Sequence, residues 1–260
     1  SALIKVNHQL QCSVLDLRMT ESERPREPAA NISLEQEQKK PAWQNSKLII
    51  AGELALVILI FIADWKGFIP YSKTPFLFVL GWISLRLRRL RWRDVGLKRF
   101  RTWKATVGYG ILGGLFTEPF EWLVTQPILV RLTGEQPNLE DFRVLTGNLT
   151  LTLIVVVLAW VQAGFGEEMV YRGYLMNCVA DGGNRSRSAW IVSLILVSTL
   201  FAFAHTYQGI TGVIENGVAG LILGGMYLIC NRNLLVPIIA HSIGDTVSVI
   251  LIYFGKYPGM

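Results

Sequence analysis

From Leu48 onward the chain alternates between long apolar runs and short polar or basic breaks. The first run is Leu48 to Ala63, closed by Asp64-Trp65-Lys66. The second spans Pro75 to Leu87. The third, Ala105 to Leu132, is interrupted by Glu118-Pro119 and Glu121. The fourth starts at Leu149, passes Trp160 and enters Gly164-Phe-Gly-Glu-Glu168. Ala189 to His205, Gly212 to Cys230 and Leu234 to Phe254 complete the series. A helix needs about 20 apolar residues to cross hydrocarbon. Several runs meet that length, and the second is short. The pattern predicts an all-α fold: a polytopic membrane helix bundle of seven or eight helices with an interior polar site. Residues 47–260 form the membrane-embedded domain. Residues 1–46, polar and carrying Pro25, Pro28 and Pro41, are expected to be a disordered tail. That tail lacks a long apolar core and does not read as a signal peptide. Met19 opens Met-Thr-Glu-Ser, an expected natural start that would leave residues 1–18 as upstream sequence.

Composition agrees with lipid as the solvent. Of 260 residues, 51% are hydrophobic and 17% charged, against about 25% charged in ordinary soluble domains. The mean hydropathy is +0.38. The formal net charge of +6 sits mostly in Arg86 to Lys104. No folded basic domain surrounds that run, so a cytoplasmic loop accounts for it better than nucleic acid does. With the N-terminal tail in the cytoplasm, this loop, then Arg185 and Arg187, then Arg232 all fall on the cytoplasmic side. The C-terminus is then outside. Cys12, Cys178 and Cys230 show no CxxC spacing; neither a disulfide framework nor a cysteine zinc site is expected. Cys178 and Cys230 are read as packing residues. The pairs Gly110/Gly114 and Gly220/Gly224 are spaced for close helix approach. Asn31, Asn148 and Asn184 sit in N-x-Ser/Thr triplets that arise often by chance.

A charge inside a membrane segment costs about 2.5–3.5 kcal/mol at a helix centre, so each one here requires a reason. In Glu167-Glu168-Met-Val-Tyr-Arg172, Glu168 and Arg172 are four apart and share a helix face. Arg172 is expected to neutralise Glu168, while Glu167, about 100° round, points elsewhere. One buried ion-pair network would explain the whole set. A pair needs only one Glu, however, so Glu167 is read as an available base. Phe201-Ala-Phe-Ala-His205 ends an apolar run in histidine, alone most often a satisfied interior residue. His241 and Asp245 are four apart on one face, where Asp245 would orient the imidazole or serve as a ligand. Two histidines and a Glu pair are an inventory for activating water, with or without a metal.

Taken in order, Glu167-Glu168-x-x-x-Arg172, Phe201-x-x-x-His205 and His241-x-x-x-Asp245 resemble the CAAX-protease and bacteriocin-processing family of intramembrane proteases, CAAX prenyl endopeptidases included. Gly220-Leu-Ile-Leu-Gly-Gly-Met-Tyr227, followed by Leu235 to His241, also looks like that family's third-motif region. The resemblance covers about residues 150–250. It implies eight helices and an endopeptidase acting on a peptide or protein substrate, lipidated in the CAAX case, at a membrane lipid boundary. The implied catalytic residues are Glu167, Glu168, His205, His241 and Asp245, shaped by Arg172 and Phe201. Glu167 would activate water that His205 binds. His241 and Asp245 would stabilise the oxyanion, and Glu168 with Arg172 would hold the site. The family often has Asn where this chain has Asp245, and an ionised Asp offers only acceptors. Glu167, His205 and His241 also make an adequate zinc set, although HExxH is absent.

Two other classes compete. Glu118 and Glu121 near Pro119 fit an ion- or proton-coupled transporter, although no internal repeat relates the two halves. A non-catalytic immunity-type protein would keep the motif for structure alone. Simple threading puts His205 near the outer end of its helix and His241 near the inner end of its own. A shared site therefore needs tilted or re-entrant segments, with breaks at Gly164, Gly166 and Gly209.

Overall fold

The computed structural model describes residues 46–260. The expectations for the polar tail, including its disorder, Met19, Cys12 and Asn31, lie outside the described residues. All seven apolar runs become helices, and no strand occurs among the described residues. Helix α1 is Lys47–Trp65 and α2 is Thr74–Leu87. Helix α3, Trp103–Phe120, continues through a wide π turn at Glu121–Thr125 into α4, Gln126–Thr133. Helix α5, Leu149–Leu158, runs through π-type turns at Ala159–Glu167 and Met169–Leu175 into α6, Met176–Gly182. The last three are α7, Arg187–Phe203; α8, Gly209–Ile229; and α9, Leu235–Tyr253.

Four helical stretches are long and apolar enough to cross a membrane: Lys47–Trp65, Leu149–Gly182, Thr206–Ile229 and Leu235–Tyr253. The outward faces of the shorter and broken helices are apolar as well. Leu112, Leu115 and Phe116 on α3, and Ile191 and Ile195 on α7, are each at least half exposed. Such belts would be unstable in water and are stable in lipid. The protein is an integral membrane protein. The third predicted span departs from expectation. Pro119 removes a backbone donor inside α3, the helix widens at Glu121, and the rod is not among the four stretches.

Local chemistry sets the helix starts. Thr102, Asn148 and Ser186 each accept a hydrogen bond from a backbone N–H three residues on, capping α3, α5 and α7. The cap explains Asn148 without glycosylation. Close glycine contacts set the packing. A Cβ on Gly110 would lie 2.6 Å from the Ile239 side chain, and one on Gly114 2.5 Å from the Ala240 carbonyl oxygen. These two glycines let α3 lie directly on α9. Gly220 and Gly224 do the same for α8 against α7, where they face Ser198 and Leu194.

At one end of the bundle a buried polar network joins α1, α2 and α6. Arg88 donates to Glu53 at 2.6 Å and to Asp181 at 3.3 Å, and Arg185 donates to Asp181 at 3.1 Å. The Cys178 thiol donates to Glu53 at 3.1 Å. Cys178 is thus a member of a polar network and more than a packing residue.

Candidate active site

The α5–α6 rod carries Glu167 and Glu168 between its two wide turns. Gly164 and Gly166 do not break it. They instead admit neighbours: Gly164 faces Ser242 on α9, and Gly166 faces Thr74 on α2. The predicted re-entrant break is replaced by a continuous helix with π turns, a form that often marks functional sites. Gly209, with φ of +75°, does make the expected break between α7 and α8.

Glu168 is fully buried. Its Oε1 accepts from Arg172 Nη1 at 2.6 Å and from His241 Nδ1 at 3.0 Å. Arg172 Nη2 donates to the Gly220 carbonyl at 3.0 Å, and the guanidinium lies over the Phe201 ring at 4.8 Å. Phe201 also packs edge-on against Tyr171, and its ring centroid stands 4.8 Å from that of His205 and 6.0 Å from that of His241. This one aromatic ring, held by Arg172, brings the ends of α7 and α9 together. The two histidines therefore converge although they sit at different depths along their helices.

Both imidazoles are oriented. His205 Nδ1 donates to the Phe201 carbonyl at 2.9 Å, which in the neutral ring leaves Nε2 as the lone-pair nitrogen. His241 Nδ1 is committed to Glu168. Its Nε2 lies 3.7 Å from Asp245 Oδ1, beyond hydrogen-bond distance. Of the two roles expected of Asp245, orienting His241 has no hydrogen bond behind it, and the ring's bonded partner is Glu168. Glu168, counted above among the catalytic residues, is bonded to Arg172 and His241 and does not line the cavity.

The remaining predicted residues share one space. Glu167, His205, His241 and Asp245 all line a cavity of about 430 Å³. Phe201 closes one wall. Glu167 points into this space, while its neighbour Glu168 points into the protein, as the helix spacing predicted. The carboxylates attributed to a transport path, Glu118 and Glu121, line the same cavity. Glu215 on α8 joins them and was missed. The signal was present, since it is a charged residue within an apolar span. Among the described residues, no group of three or more His, Cys, Asp or Glu side chains lies close enough together to hold a metal ion. As placed, Glu167, His205 and His241 do not make a zinc set.

A buried Glu–Arg–His constellation beside a polar cavity inside a helical membrane bundle marks a candidate functional site. Comparison with protein families agrees: residues 149–247 match the family described as type II CAAX prenyl endopeptidase Rce1-like. The matched segment holds every motif residue from Glu167 to Asp245. No curated protein and no solved structure gives a match.

Proposed function

We propose that the protein is an endopeptidase of the CAAX-protease type, hydrolysing a peptide bond within the membrane by carboxylate-activated water. The observation that carries the reading is the split between the two glutamates. Glu168 is consumed by Arg172 and His241, and Glu167 is left facing the cavity that His205 also lines. Water between Glu167 and the His205 Nε2 lone pair donates one hydrogen to each. Glu167 takes a proton as the water oxygen attacks the scissile carbonyl carbon. The carbonyl oxygen becomes an oxyanion. His241, with both nitrogens protonated, offers it an Nε2–H, and Glu168 supplies the counter-charge. Collapse breaks the C–N bond, and Glu167 returns its proton to the leaving amine.

The substrate is a membrane-associated peptide or protein. Phe142, Leu158, Leu223 and Val249 line the cavity beside the polar groups, an apolar wall suited to aliphatic side chains or a lipid modification. The N-terminal tail lies on the cytoplasmic side by the distribution of basic loops.

The test is cleavage of membrane-partitioned peptides by purified protein in liposomes. Glu167→Gln keeps the shape of the side chain and removes the base. It is expected to lower kcat on the order of a hundred- to ten-thousand-fold with the melting temperature retained. Full turnover by a folded Glu167→Gln protein would leave no place for this general base.

A further inference from the structure

Five carboxylates line the cavity; Glu167 is used by the chemistry above, and Asp245 stands beside His241. Glu118, Glu121 and Glu215 come from α3, the π turn after it, and α8. Glu121 lies within electrostatic reach of both Glu118 and Glu215. Glu118 accepts from Ser248, and Gly244 leaves it room: a Cβ there would come within 2.9 Å of Glu118 Oε1. Glu215 has less support. It is only 4% exposed, and its buried Oε1 has no hydrogen-bond partner. An unpaired buried carboxylate oxygen is costly. Among the described residues, no Lys or Arg lines the cavity to compensate it. The two lining histidines are engaged elsewhere, with Phe201 and with Glu168.

The cavity thus presents carboxyl acceptors from three elements without a lining Lys or Arg. We infer that Glu118, Glu121 and Glu215 form a specificity subsite for a lysine or arginine side chain of the substrate near its scissile bond. An ammonium brings three donors and a guanidinium five, all complementary to carboxylate oxygens. The methylene stem packs on the neighbouring apolar wall at Leu223 and Val249. The inference rests on the peptidase reading and adds the substrate class: peptides with a basic residue beside the cleaved bond.

Binding separates the two claims. Full-length protein in nanodiscs carries Glu167→Gln to stop turnover. The probes are short acylated peptides with one lysine stepped through a leucine-alanine-serine background, each paired with its glutamine counterpart. At one register the lysine peptide is expected to bind about tenfold tighter. Adding Glu215→Gln reduces that ratio to near one, and Glu121→Gln serves as the second variant where Glu215→Gln lowers expression. Equal affinities at every register overturn the inference. So does a lysine preference that survives both variants, and so does sodium binding at these residues without any lysine preference. Failure of the peptidase reading shows separately, as wild-type protein that binds the peptides and leaves them intact.

Discussion

Adjacent positions give Glu167 and Glu168 opposite environments, and the difference is set by Arg172. Four residues on, its guanidinium takes Glu168 into a fully buried pair that also fixes His241. Glu167 keeps its carboxylate for the cavity. Asp245 is the residue whose chemistry fits least well. It stands 3.7 Å from the His241 nitrogen assigned to the oxyanion, and an ionised carboxylate there repels developing negative charge. Asn would remove the charge and add an N–H donor. Asp245→Asn is expected to raise kcat/KM severalfold in the peptide assay. A loss of activity on this substitution would show that the carboxylate itself is required.

Among the elements, the contact of α3 with α9 positions His241 and Asp245. Gly114 is packed against a backbone carbonyl that cannot move aside as a flexible side chain would. Gly114→Ala is expected to lower stability by about 1–3 kcal/mol, measured by thermal unfolding in detergent. An unchanged melting temperature would mean that the helices are not held at this distance. The Gly-xxx-Gly spacing made this contact legible in the sequence, because it depends on one helix face. The Glu168–Arg172 pair was legible for the same reason. The π turns flanking Glu168 were not, because they depend on neighbours such as Ser242 and Thr74, distant in sequence. The convergence of His205 and His241 was equally hidden. It rests on Phe201 being clamped by Arg172 from another helix. Glu215 was legible in principle, and the apolar run around it masked the signal.

Across the described residues the usual arrangement of charge is inverted. Apolar side chains cover the outside, and five carboxylates and two histidines line one interior space. The segment 149–247, which matches the Rce1-like family, supplies the residues assigned to the chemistry. Helix α3, outside that segment, supplies Glu118 and borders the same cavity. The specificity assignment therefore draws on both parts of the chain, with Glu118 and Glu121 outside that segment and Glu215 within it.

The central claim is that Glu167 and His205 act on one shared water. Single and double substitutions, Glu167→Gln, His205→Ala and the pair, compared by kcat on one peptide, test it most directly. Groups that act as a unit are not additive. The double variant is expected to be no slower than the slower single variant. Losses that multiply would place the two residues in separate roles and contradict the account.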